Sequence, residues 1–233
     1  MRNYRYQDLQ SKIQSSSLLM PLDVLLVGGT GTGKSATLNA IFGSTVAKIG
    51  DGVDPETQHI SAYQLHDYLR VHDSAGLGDG KAADLEHAKN ITKELLRVVT
   101  ISDGKQYKFT DLAMVILDGG SRDLGTAFKL LESVVLKSIE PERVIVAINQ
   151  ADMAMKGRYW NGKLHRPEQE LKDFLEEKAF SVQKRIREST GLTIAKPVCY
   201  SALHKYNIDS LIDHIIDRIP TKRREASIQK WVF

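Results

Sequence analysis

The segment Gly28-Gly29-Thr30-Gly31-Thr32-Gly33-Lys34-Ser35 satisfies the pattern G-x-x-x-x-G-K-[ST] in full, directly after the apolar run Leu22 to Val27. The chemistry accounts for the spelling. Glycines let backbone N–H groups close around phosphate oxygens, Lys34 reaches the outer phosphates, and the Ser35 hydroxyl faces a Mg²⁺ ion. Ala36 to Phe42 continues the loop with helical periodicity, so strand, loop and helix follow one another as a phosphate cradle at a helix N-terminus requires. The whole set from Gly28 to Ala36 is therefore expected to line a nucleotide's phosphates.

Composition narrows the setting without naming the function. With 42% hydrophobic and 26% charged residues the chain reads as an ordinary soluble protein, and 233 residues suit one large domain with appendages. The single cysteine, Cys199, allows no internal disulfide and fits a reducing compartment. No apolar run approaches the length of a membrane span, and Met1 to Asp8 lacks the apolar region of a signal peptide, so a cytoplasmic location is expected. A formal net charge of +3 gives little attraction towards DNA, and no DNA partner is expected. Lys222-Arg223-Arg224 forms a local basic cluster that reads as a solvated tail.

Along the chain, residues 1–20 read as a leader with a short helix up to about Gln14, residues 21–220 as a nucleotide-binding domain and 221–233 as a basic tail. The stretch Gly43 to His59 has the Gly, Asp, Thr and Pro content of a mobile connection. Ile60 to His66 and Tyr68 to His72 alternate like a hairpin turning near Asp67. Helical spacing covers Ala82 to Val99, Leu124 to Leu136, Glu168 to Glu188 and Ile208 to Ile219. Buried strands are expected at Asp111 to Leu117, Arg143 to Ile148 and Pro197 to Tyr200, with Met153 to Pro167 a polar connection. Strands alternating with helices imply an α/β fold with a mostly parallel, doubly wound sheet and ligands at the carboxyl ends of the strands.

Three further loops, each after its own strand, point to the nucleotide. Asp73-Ser74-Ala75-Gly76 is a D-x-x-G sequence, where the aspartate can reach Mg²⁺ through water and the Gly76 N–H can meet a γ-phosphate. Asn149-Gln150-Ala151-Asp152 is an N-x-x-D sequence, and a carboxylate at Asp152 can accept from guanine N1–H and N2–H₂, donors that adenine does not pair in that geometry. Ser201-Ala202-Leu203 offers backbone N–H groups to the guanine O6. A P-loop kinase or ATPase is disfavoured by that base loop.

With those residues the chain resembles the translation-factor-related P-loop GTPases of the Era-like branch, and most closely the YfjP/YeeP-like bacterial GTPases. The resemblance runs from about Pro21 to Pro220 and rests on Gly28 to Ser35, Gly52 to Thr57, Asp73 to Gly80, Asp118 to Gly125, Asn149 to Asp152, and Ser201-Ala202. It implies a six-stranded Ras-like G domain, GTP and GDP as ligands, Mg²⁺ as cofactor and GTP hydrolysis as a molecular switch, with Lys34, Thr57 and Gly76 in the catalytic roles. From the residues alone Thr57 competes with Thr45 for Mg²⁺; the resemblance decides for Thr57 beside Ser35 and Asp73.

The departures have consequences. Leu77 stands where Ras-like enzymes carry a water-orienting glutamine, and Gly31 stands where potassium-activated relatives carry asparagine. Ala75 replaces a proline usual in the D-x-P-G form, and Gln150 replaces a lysine of the base loop but can still cover the base. Arg122 reads as a surface or subunit contact beside the helix-capping Asp123, and His59, His66 and His72 as strand-face histidines. An effector protein, the ribosome or RNA, or a second copy of the chain can supply the missing group. The alternative reading is a self-assembling scaffold G protein, septin- or dynamin-like, with hydrolysis secondary.

Overall fold

In a computed structural model the described residues are 4–16, 18, 20–42, 48–51, 60–66, 68–74, 81–102, 104–121 and 125–226. Thr45, the segment Gly52 to His59, Asp67, the segment Ala75 to Gly80, Arg122 to Leu124 and the last seven residues lie outside them.

The chain runs α1 (Tyr6–Ser15), β1 (Leu22–Gly28), α2 (Lys34–Phe42), β2 (Lys48–Asp51), β3 (Ile60–His66), β4 (Leu69–Ser74), α3 (Lys81–Leu96), β5 (Val98–Thr100) and β6 (Gln106–Lys108). It continues through β7 (Leu112–Asp118), α4 (Gly125–Leu130), a π-helical turn at Leu131–Val135, α5 (Leu136–Ser138), β8 (Val144–Asn149), β9 (Trp160–Asn161), β10 (Arg166–Pro167), α6 (Gln169–Thr190), β11 (Val198–Cys199) and α7 (Ile208–Asp217).

The main sheet has the order β11-β8-β7-β1-β4-β3-β2. Its five members from β11 to β4 are parallel, and β3 and β2 extend it antiparallel. Among the described residues the sheet has seven strands where six were expected. The added strand is β2, hidden in the stretch read as an aperiodic connection; an edge strand of four residues needs only one neighbour's ladder and leaves little periodic signal.

Alternation of side chains across the pleat divides the core into two layers. Val24, Leu26, Met114, Ile116, Ile145 and Ala147 face α1, α2 and α7. Leu25, Val27, Ala113, Val115, Val146 and Ile148 face α3, α4 and α6. This is why β1, β7 and β8 read as unbroken apolar runs: both faces are covered. α6 supplies its stripe from Leu171, Leu175, Ala179, Val182 and Ile186, one residue per turn.

Local departures from the periodic reading have tertiary causes. The helix expected to reach Val99 stops at Leu96, because Val98–Thr100 pairs antiparallel with β6. The C-terminal segment joins that ribbon, with Lys108 N–H donating to Arg224 O at 2.7 Å and Ala226 N–H to Gln106 O at 3.2 Å. The polar connection after β8 contains the β9–β10 hairpin, paired through Arg166–Asn161 and Pro167–Trp160.

Candidate functional site

The phosphate loop, the D-x-x-G strand, the N-x-x-D loop and the Ser201 loop all lie at the carboxyl edge of the parallel strands, because β1, β4, β8 and β11 run in the same direction. Gly28 ends β1 and Lys34 opens α2. Lys34 is buried, and its Nζ donates to Gly28 O at 2.9 Å and Gly29 O at 3.2 Å. Burial lowers its pKa, opposed by the charge of Asp73. The Thr32 hydroxyl donates to Gly29 O at 2.9 Å, which braces the loop from inside. Ser35 and Ala36 are exposed in the first turn of α2.

Gly33 illustrates why the loop's spelling is strict. Its φ of +86° lies in the left-handed region, and a Cβ there would run into Asn149 Nδ2. The close approach is functional in form: Asn149 Nδ2 donates to Thr32 O at 2.9 Å, while Asn149 Oδ1 accepts the Ala202 N–H at 3.0 Å. One buried side chain thus ties the phosphate loop to both base loops. Gln150 adds a second tie, its Nε2 donating to Gly31 O at 2.7 Å, so this side chain braces the phosphate loop. The Ala202 N–H, expected to face the base, is held by Asn149 and can reach a second acceptor only as a shared donor.

Two carboxylates stand out because a buried oxygen lacks a partner. Asp152 is 6% exposed and its Oδ1 accepts no hydrogen bond among the described residues. Asp73, paired in register with Leu26 of β1, likewise has a buried Oδ1 with no partner among the described residues. Burial pushes the Asp73 pKa up to about 6 despite the Lys34 charge. Orphaned buried oxygens are costly unless something accepts them, so these two positions have the chemistry of donor- or cation-receiving sites. Among the described residues no group of three or more His, Cys, Asp and Glu forms a protein-only metal cage. Thr57, Gly76 and Leu77 lie outside the described residues, as does Arg122.

Several supporting residues carried no signal in the sequence pattern. The Thr37 hydroxyl lies 2.6 Å from the fully buried Tyr200 hydroxyl and donates to Gly33 O at 2.8 Å, linking the last strand to the phosphate loop. Lys178 of α6 donates to Gly119 O at 2.6 Å and Ser121 O at 2.8 Å, fixing the loop after β7. A Cβ at Gly119 would meet Asn149 O, which accepts the Gly119 N–H at 2.7 Å. His204 places Nε2 3.8 Å from Asp152 Oδ2. Apart from the Thr37–Gly33 bond, each contact spans more than twenty residues of sequence, beyond the reach of any local motif.

Solved structures share this architecture. An Era variant from Aquifex aeolicus bound to GDP·AlF₄⁻ is 19% identical, with 87% of this chain and 58% of that one covered at a TM-score of 0.50. A GTP-binding protein from Sulfolobus solfataricus in complex with GDP is 15% identical, with 85% and 52% covered at 0.52. LeoA, a bacterial dynamin GTPase from ETEC, is 14% identical, with 93% and 39% covered at 0.52. The chain therefore spans between about two fifths and three fifths of these proteins' lengths. No curated protein matches the sequence. A family model described as the AIG1 family matches residues 22–188, from the first residue of β1 to near the end of α6. With that model matching well over half of its length, the chain belongs to the AIG1 family.

Proposed function

We propose that the chain binds guanine nucleotide with Mg²⁺ at the carboxyl edge of its sheet and hydrolyses GTP slowly as a molecular switch. The observation that carries this reading is Asn149, which joins Thr32 O and Ala202 N–H in the same loop as Asp152, whose buried Oδ1 has no partner among the described residues. A cradle built that way recognises phosphate and base together. Guanine offers two donors to one carboxylate, and a buried acceptor left unpaired rejects a base that lacks them.

The roles divide by chemistry. Gly28, Gly29, Thr30, Gly31, Thr32, Gly33 and Ala36 supply the phosphate cradle, and Lys34 already lies inside it on two carbonyls. Ser35, Thr57 and Asp73 would hold Mg²⁺; Thr57 rests on the family resemblance alone. Mg²⁺, when bound, neutralises charge on the outer phosphates. Asn149, Gln150, Asp152, Ser201, Ala202 and Leu203 form the base side. Gly76 senses the γ-phosphate, and Lys34 neutralises charge that grows as water attacks phosphorus and the bond to GDP breaks. Leu77 carries no group that orients water, so turnover is slow unless an effector, RNA or a second copy provides one.

Placement among YfjP/YeeP-like bacterial GTPases and in the cytoplasm is part of the same proposal. The motif residues and the lone cysteine support it, and among the described residues no helix is long and apolar enough to cross a membrane. Competition of GTP, ATP and XTP for the purified chain tests the assignment. Asp152→Asn is expected to weaken GTP binding about 100-fold or more and to favour XTP, whose ring carbonyl replaces a donor. Tight ATP binding, or an unchanged preference in the variant, would sink it. For the self-assembling alternative, specific activity should fall on dilution; constancy favours the monomeric switch.

A further inference from the structure

The β9–β10 hairpin brings His165 and Trp160 against His204 of the loop after β11, three side chains to which the proposed phosphate and guanine recognition gives no role. His165, exposed in the hairpin's connection with φ of 50°, turns its ring edge-on to His204 of the loop after β11. The ring centroids are 4.8 Å apart at an interplanar angle of 89°, and Nδ1 of one faces Nδ1 of the other at 3.3 Å. The rest of the His204 ring is held in place. Its Nε2 lies 3.8 Å from Asp152 Oδ2, Trp160 covers its face at 5.2 Å, and its backbone N–H donates to Ser201 Oγ at 3.2 Å. Trp160 is itself wedged edge-on against Tyr206 at 5.7 Å.

Two imidazole nitrogens that face each other have two explanations. A hydrogen bond requires one ring to carry its proton on Nδ1 and the other to leave it bare, and N–H donors prefer acceptors nearer about 2.9–3.0 Å. A shared cation requires both nitrogens bare. Two nitrogens each about 2.0–2.1 Å from one tetrahedral ion stand about 3.3 Å apart, the separation of the two rings. Asp152 Oδ2, 3.8 Å from Nε2 of His204, lies on the side where an Nε2–H would face it, an arrangement compatible with a bare Nδ1 on that ring. Imidazole nitrogens suit zinc, nickel and copper, whereas magnesium takes oxygen ligands.

We propose that His165 and His204 bind one divalent transition-metal ion of the zinc, nickel or copper class through their Nδ1 atoms. Among the described residues no third imidazole, thiol or carboxylate joins them. Water fills the remaining positions on the exposed His165 side, and the affinity is that of an open site, weaker than a closed four-ligand cage. The ion would pin the His204 ring, whose Nε2 lies 3.8 Å from Asp152 Oδ2.

The test is calorimetric titration of the full, tag-free, nucleotide-free chain with zinc chloride. A parallel cobalt(II) titration reads the ligand field by absorption. One ion per chain is expected, undisturbed by excess Mg²⁺. Binding should weaken at least about tenfold in His165→Ala and in His204→Gln and vanish in the double variant. Unchanged circular dichroism in the His165→Ala variant, whose side chain is exposed, shows that lost binding is not lost folding. Equal binding by the double variant would put the ion on another of the seven histidines and overturn the proposal. So would a wild-type chain that takes up neither zinc nor cobalt, which would leave the pair as a hydrogen bond.

Discussion

Asp111 shows how one side chain at the opposite edge of the sheet makes stability depend on pH. Its carboxylate is 3% exposed and accepts the Asp23 N–H at 3.0 Å. Burial, relieved in part by that N–H and reinforced by the Asp23 charge, pushes its pKa up to about 7 from an ordinary 3.8. Between those two values the folded chain holds a proton that the unfolded chain has lost. Stability therefore falls as pH rises from about 4 to about 7, and the full penalty persists above that. Asp111→Asn keeps an acceptor for Asp23 and removes the charge. In urea unfolding it should exceed the parent by on the order of 2 kcal/mol near pH 8, with the gap closing towards pH 4. An equal gap at both pH values would mean that the carboxyl does not titrate as its burial requires.

Asn149 makes the complementary point about position. A local reading sees the first residue of N-x-x-D, whereas the fold uses it as a clamp on two other loops. Asn149→Ala removes both hydrogen bonds at once and leaves the buried Thr32 carbonyl and Ala202 amide without that partner. Nucleotide affinity should drop about tenfold or more, while ligand-free stability falls by about 1–3 kcal/mol. Isothermal titration and a thermal melt separate the two effects, and unchanged affinity would deny the clamp a functional role.

At the scale of elements, the C-terminal segment is the clearest case of a role set by neighbours. Arg224 is 6% exposed and donates to Leu95 O, Thr110 O and Ser138 O at 2.9, 3.2 and 2.6 Å, with Glu140 Oε2 at 3.1 Å. It closes the carboxyl ends of α3 and α5 over the start of β7, where helix carbonyls lack partners of their own. The basic cluster read as a solvated tail is thus a buried anchor at Arg224. Arg224→Ala should cost about 3 kcal/mol, since it strips a buried cation from several acceptors at once. Nucleotide affinity should stay near that of the parent, because the anchor sits at the far edge of the sheet; a coupled loss would show that the two edges communicate.

At the scale of the molecule, α1 belongs to the packed body. Leu9 and Ile13 join the layer under α7, and Arg5 pairs with Asp213 at 2.9 Å and Asp217 at 3.2 Å. The exposed ion pairs contribute little; the buried apolar stripe does most of the stabilising. Removing residues 1–16 should uncover that stripe, lower the melting temperature by several degrees and increase binding of a hydrophobic dye. A truncated chain that melts with the parent would make α1 an appendage.

The order of β1, β3, β4, β7, β8 and β11 with the helices between them, and the place of the phosphate, N-x-x-D and Ser201 loops at the ends of their strands, were legible in the sequence. Each depends on contacts within a few residues: apolar runs for β1, β7 and β8, glycines with Lys34 and Ser35, and Asp152 three residues after Asn149. The sequence by itself determined that this chain folds as a parallel α/β protein with a nucleotide cradle. Only the tertiary structure decided that Asn149 ties three loops, that Gln150 braces Gly31, that Arg224 is buried, that β2 completes a seven-stranded sheet and that His165 meets His204. The reason is physical: periodicity and turn chemistry record what a residue does to its own element. A buried polar side chain takes its role from partners tens of residues away, which come within hydrogen-bonding reach only once the core has closed.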